Sequence, residues 1–204
     1  MMLIRLEKEQ DYRTVENLTR EAFWNKYQPG CDEHLILHLF RDDPSFIPEL
    51  DYVIEEDGEI VAHIMYCHIH IRCDDGNQLP AICFGPVSVM AKHQRKGYGS
   101  SLIRFTLEKA KELGFGAVHI EGNPDFYHRF GFRSGSKYGV YPPGVSRSDE
   151  AAYSMVLELK KGYLDGIQGE FVLPPLYHCD LEALEAFDRQ FPPKIKERRP
   201  GQLR

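Results

Sequence analysis

Apolar positions along this chain switch repeatedly between the spacing of strands and that of helices. Residues 3–6 are a short apolar run suited to a strand. Over 11–23, Val15, Leu18, Ala22 and Phe23 recur at helical spacing and predict an amphipathic helix. A second helix is predicted over 33–41 from Leu35, Ile36, Leu39 and Phe40, and Asp42-Asp43-Pro44 stops it. Strands over 50–56 and 59–71 flank Glu56-Asp57-Gly58-Glu59, where an Asp-Gly between apolar runs signals a hairpin. A turn at 74–77 leads to a third strand over 81–89, which Gly85-Pro86 interrupts. Proline inside a strand implies a lost ladder bond or a bulge there. A strand over 117–121, a short helix over 125–130, a turn at Gly131-Phe132 and a last core strand over 152–159 follow. Past Lys160 the composition shifts. An edge strand over 169–173, a short helix capped by Asp180 and a basic, solvated end over 194–204 are expected.

Residues 86–113 organise the rest. Val87-Ser88-Val89 suits a buried strand, and Met90 to Lys96 is a polar, basic turn. Gly97 and Gly99 then open a helical run through Ile103, Thr106, Leu107, Ala110 and Leu113. Strand, glycine turn, helix is an order that points backbone N–H groups and a positive helix end past the strand. An anion, most often a phosphate, is the usual guest. The stretch is not an NTP-binding loop, since G-x-x-x-x-G-K-[ST] occurs nowhere, and Gly97-Tyr98-Gly99-Ser100 departs from the dinucleotide fingerprint.

Composition narrows the class. The chain has 204 residues, 42% hydrophobic and 27% charged, enough for one sizeable core. A net charge of −6 argues against nucleic acid as the main partner. Five cysteines without a C-x-x-C pair read as reduced thiols. No apolar run reaches transmembrane length, so no membrane partner is expected and cytoplasm is the expected compartment. His34 and His38 are four apart on a predicted helix, but no third ligand is evident, so they read as a surface pair and no metal is expected. His63 shares a face with Val61, Met65 and Ile69 and reads as a hydrogen-bonded core histidine.

Gln94-Arg95-Lys96-Gly97-Tyr98-Gly99 resembles the Q/R-x-x-G-x-G/A signature of the GNAT superfamily of N-acetyltransferases. A second stretch, Asn123-Pro124-Asp125-Phe126-Tyr127-His128-Arg129-Phe130-Gly131-Phe132, resembles the aromatic, Y-x-x-x-G-F end of that family's second motif. The likeness covers residues 1–158. The remainder, 159–204, looks like the C-terminal extension of one bacterial branch, packed on or near the core. The resemblance implies a mixed α/β fold, with a mostly antiparallel sheet of six to seven strands and helices on both faces.

It also implies roles. Gln94, Arg95, Lys96, Gly97, Tyr98, Gly99 and Ser100 would hold the pyrophosphate of acetyl-CoA. The backbone of Val87 and Val89 would pair with the pantetheine arm, and Asn123 would touch it. Asn123 and Tyr127 stand closer together than in many members. Tyr127 would protonate the CoA thiolate, while Glu121, His119 or a relayed water would serve as base. The acceptor would be an amine of a small molecule or peptide, and the protein a monomer or homodimer. A non-catalytic acetyl-CoA sensor and a transferase of longer acyl chains are the alternatives. Loops 24–32 and 137–149 are expected to shape the acceptor pocket.

Overall fold

The computed structural model describes residues 2–202; Met1, Leu203 and Arg204 lie outside the described residues. Its elements in chain order are β1 (Met2–Leu6), α1 (Tyr12–Phe23), α2 (Glu33–Phe40), β2 (Tyr52–Glu56), β3 (Glu59–Cys73), β4 (Gln78–Val89) and α3 (Tyr98–Glu112). Then come β5 (Ala117–Glu121), α4 (Pro124–Tyr127), β6 (Arg133–Ser134), β7 (Val140–Tyr141), β8 (Ser154–Glu158), β9 (Gly169–Val172) and α5 (Leu181–Asp188). The chain divides into two compact units: within the described residues, one covers 2–65, 86–103 and 175–202, the other 66–85 and 104–174. β3, β4 and α3 each contribute a part to both.

In the first unit β1, β2 and β3 form an antiparallel meander, with Ile4 opposite Ile54 and Ile54 opposite Ala62. The register then slips, so that Glu55 meets Ile60 and Val61 is the extra residue of a bulge. The Val61 carbonyl accepts the Met90 N–H at 2.9 Å. α1 buries Val15 and Leu18, together with Thr19 and the whole of Arg20. The Arg20 guanidinium forks onto Asp188 of α5, at 2.6 and 3.3 Å. Leu35 of α2 packs with Phe187 and Phe191.

Two sequence expectations are refined here. The basic end is exposed as expected, but it is not a free tail: Trp24 Nε1 and Asn25 Nδ2 both donate to the Ile195 carbonyl, each at 2.9 Å, and Gln202 Nε2 donates to the Asn25 carbonyl at 3.1 Å. Backbone groups of 195–202 find partners on the turn after α1, which satisfies polar groups on both sides. His34 is not a surface residue either. It is fully buried between the rings of Phe187 and Phe191, at 5.4 and 5.2 Å. It lies on the covered face of α2, and the cover comes from α5 and Phe191, far along the chain.

In the second unit β5 runs parallel to β4 over Ile82↔Val118 and Cys83↔His119, and antiparallel to β8 from Ala117↔Glu158 to Glu121↔Ser154. β6 extends β8, and β9 joins β3 antiparallel and β7 parallel. Tyr66, Phe84, Phe132, Met155 and Phe171 are buried here. Residues 159–174 belong to this unit and 175–202 to the other. The sheet counts nine strands among the described residues, because the two-residue pieces β6 and β7 and the later β9 join the expected set. The mixed, mostly antiparallel α/β class is as the resemblance implies. β4 continues through Pro86 to Val89 rather than breaking, and the irregularity is carried by Gly85 at φ +143. Only glycine adopts that backbone without strain.

Candidate active site

β4 delivers the chain to a compact loop in the first unit. After Met90 a 3-10 turn (Ala91–His93) leads into Gln94, whose Nε2 donates back to the Val89 carbonyl at 3.0 Å. Arg95 is in the left-handed region at φ +62, and Gly97 follows at φ +96. Gly97 therefore has a backbone conformation that favours glycine. α3 then begins, with a first intrahelical bond from Ser101 N–H to the Gly97 carbonyl at 2.9 Å. Helix geometry leaves the N–H groups of Gly97, Tyr98, Gly99 and Ser100 without an intrahelical acceptor. A Cβ on Gly99 would meet Val89 Cγ2 at 3.4 Å, so the helix start lies close to the end of β4.

The cations Lys92, Arg95 and Lys96 are exposed around this turn. The positive helix end and these side chains suit a multiply charged anion. Tyr98 is turned the other way: its hydroxyl donates to Glu56 Oε2 at 2.6 Å. That bond raises the Tyr98 phenol above its usual range. The sequence reading missed Glu56. Its only trace there is its place beside the Asp57-Gly58 turn, which says nothing of a partner beyond the hairpin.

In the second unit, β5 ends at Glu121 and a tight turn begins α4. Asn123 Oδ1 accepts the Asp125 N–H at 2.9 Å, and the Asn123 carbonyl accepts the N–H groups of Phe126 and Tyr127 at 3.0 and 3.2 Å. With Pro124 in the first turn, Asn123 is the N-cap of α4. Asn123 thus uses its side-chain oxygen to shape the turn that carries Tyr127. The half-buried Tyr127 ring packs against Phe84 and Phe132, at 5.9 and 6.0 Å. Gly122 is held by donation to the Tyr153 carbonyl at 2.9 Å.

Two of the candidate bases differ sharply. His119 is fully buried, its Nε2 lies 3.0 Å from Ser154 Oγ, and its ring stacks 3.9 Å from Phe171. Burial lowers its pKa to about 3, so it is neutral and enclosed. Glu121, two residues on, is exposed at the end of β5.

Other polar groups cluster away from the loop, in the first unit. His63 Nε2 lies 2.7 Å from Asp51 Oδ1, which agrees with its reading as a core histidine. Glu7, Asp51 and His63 are the set of three metal-capable side chains found close together among the described residues. Arg41 already forks onto Glu7, at 2.7 and 3.2 Å, and also reaches Glu16 at 2.9 Å. Burial pushes Glu7 up to about 7 and holds His63 down to about 4. The guanidinium takes the place that a cation would need, and the cluster is a buried ion-pair network. Among the described residues, no helix is long and apolar enough to cross a membrane.

Comparison with known proteins agrees with this geometry. The family model described as an acetyltransferase (GNAT) domain matches residues 3–135, and the chain belongs to that family. Among curated proteins it is similar to an uncharacterized N-acetyltransferase, YhbS, of Escherichia coli strain K12, with 26% identity over 170 residues, 82% of this chain and 93% of the relative. The crystal structure of E. coli YhbS in complex with CoA superposes with a TM-score of 0.74 at 23% identity, covering 87% of this chain and 92% of that one. A GNAT family acetyltransferase from Brucella melitensis, solved in complex with acetyl-CoA, gives a TM-score of 0.69 at 26% identity over 87% and 98% of the two chains.

Proposed function

We propose that this enzyme moves an acetyl group from acetyl-CoA to a primary amine of a small-molecule or peptide acceptor, by direct attack. The observation that carries the reading is the loop from Gln94 to Ser100. It combines a left-handed Gly97, helix-start N–H groups that helix geometry leaves without an intrahelical acceptor, and flanking cations. The E. coli relative is named an N-acetyltransferase, and the two solved neighbours hold CoA and acetyl-CoA.

In this reading the N–H groups of Gly97, Tyr98, Gly99 and Ser100 take the pyrophosphate oxygens, with Gln94, Arg95 and Lys96 at the rim. The pantetheine arm pairs with the backbone of Val87 and Val89 as an added strand would, and Asn123 contacts it through its remaining amide group. A neutral amine attacks the thioester carbon. The oxyanion that develops is held by a backbone N–H near Val89. The C–N bond forms, the C–S bond breaks, and Tyr127 gives its proton to the departing thiolate. The proton lost by the amine leaves through Glu121 or a relayed water, since enclosure of His119 removes that candidate. An ordinary phenol, with a pKa of about 10, is protonated at neutral pH and suits the role of acid.

Calorimetry with acetyl-CoA, run with a chelator present, should give one site per chain. A panel of amines should then yield an acetylated product by mass together with CoA release. Absence of binding at millimolar acetyl-CoA would overturn the reading. Binding without CoA release from any amine would leave a sensor in place of an enzyme.

A further inference from the structure

We propose that Glu56, at the end of β2, is a positioning residue for the loop that takes the CoA pyrophosphate, acting through Tyr98. The inference rests on the assignment of that loop to CoA. The loop is poorly suited to hold its own shape. Tyr98 stands between two glycines, and Arg95 is already in the left-handed region. Glycine-flanked backbone loses more freedom on ordering than any other. A loop ordered before the ligand arrives binds more tightly than one ordered by it.

The β2–β3 hairpin supplies the external hold. Glu56 accepts the Tyr98 hydroxyl at 2.6 Å, the length of a charge-assisted bond. His93 Nδ1 lies 3.4 Å from the same carboxylate, and the His93 ring meets Tyr98 edge-on at 5.2 Å. Across the turn Lys92 Nζ reaches Glu59 Oε2 at 2.6 Å. The hairpin thus grips the loop at Lys92 and Tyr98, with the His93 ring packed edge-on against Tyr98. Glu56 is itself held on both sides, opposite Met2 of β1 and Glu59 of β3.

The charge of Glu56 makes the idea decidable. A carboxylate beside an anion loop repels the anion. If repulsion were its whole effect, Glu56→Ala would tighten CoA binding. A brace predicts the opposite sign. The experiment is calorimetric titration of CoA and of S-acetylpantetheine, which lacks the pyrophosphate, into wild type, Tyr98→Phe, Glu56→Ala, Glu56→Gln and the Tyr98→Phe/Glu56→Ala pair. Expected is a Kd for CoA raised about five-fold or more in Tyr98→Phe and in Glu56→Ala, with S-acetylpantetheine unchanged. The pair should be no worse than either single variant, since both remove one contact. Glu56→Gln keeps an accepting oxygen and should recover most of the loss. The melting temperature of each variant checks folding, and Tyr98→Phe alters no packing atom. If wild type prefers CoA over S-acetylpantetheine while Glu56→Ala binds CoA as well as wild type or better, the brace is refuted and the loop assignment stands. If wild type binds the two probes equally, the loop assignment fails and the brace falls with it.

Discussion

Gly122 and Tyr127 share a single space: a Cβ added to Gly122 would stand 2.5 Å from Tyr127 Cε2. The backbone of Gly122 is tied to the Tyr153 carbonyl, so the ring is the part that must move. Gly122→Ala should therefore displace the Tyr127 ring while leaving the loop at Gly97 untouched. Expected is a fall in kcat of about ten-fold or more, within the range for a misplaced acid, with CoA affinity within a few-fold of wild type. Steady-state kinetics beside calorimetry checks it, and an unchanged kcat would show that the ring position does not matter to turnover.

Tyr127→Phe removes the hydroxyl and keeps the contacts with Phe84 and Phe132. Loss of the proton donor should lower kcat by about 10² without moving CoA affinity. A tyrosine that only packs would tolerate the change, so near-full turnover on an accepted amine would reassign Tyr127 to the core.

Gly99 faces the end of β4, where Val89 Cγ2 stands 3.4 Å and Val87 Cγ1 3.9 Å from an added Cβ. A branched side chain there pushes the helix start away from Val87 and Val89. Gly99→Val should weaken CoA binding about ten-fold or more, on the order of 1.4 kcal/mol. Circular dichroism should report an intact fold. Unchanged affinity in the folded variant would mean that CoA is held elsewhere.

Burial of His119 links stability to pH. Its pKa is about 3 in the folded chain against an ordinary 6.5, so the folded state keeps the ring neutral while the unfolded chain protonates it. The resulting stability is complete above about pH 6.5 and is lost progressively as pH falls toward the folded value. His119→Gln has no such titrating ring, and all other titrating groups are common to both proteins. The stability advantage of wild type over His119→Gln should narrow by about 1–2 kcal/mol between pH 7 and pH 5. Urea titrations at the two pH values measure it, and a constant gap would place the ring in contact with water.

Asp188 answers a fully buried guanidinium, that of Arg20. Asp188→Ala would leave the cation enclosed and uncompensated, at a cost of about 3–5 kcal/mol. Asp188→Asn keeps an accepting oxygen and should cost less. Urea denaturation ranks the two, and equal stability of Asp188→Ala and wild type would mean that Arg20 is not enclosed by α5.

The pattern of apolar positions was enough to locate the elements, because each short run declares its period and each Asp-Gly, Gly or Pro declares a turn. β1 to β5, α1 to α3 and the helix capped by Asp180 follow from spacings within a dozen residues. The loop proposed to hold the anion was also legible. Its place is marked locally, by Gly97, which lies at φ +96, and a helix beginning at Tyr98. From the sequence alone, the two short motifs at 94–99 and 123–132 carried the resemblance from which family and fold class followed, and they marked the loop now proposed to hold the cofactor. Tertiary structure decided everything that needs two distant residues to meet. It closed 195–202 over Asn25, buried His34 beneath α5, enclosed His119 against Phe171 and brought Glu56 to Tyr98. Each is a pairing of groups that lie far apart in the sequence. Such pairings are fixed by which faces the packed sheet and helices cover, and no local periodicity records them.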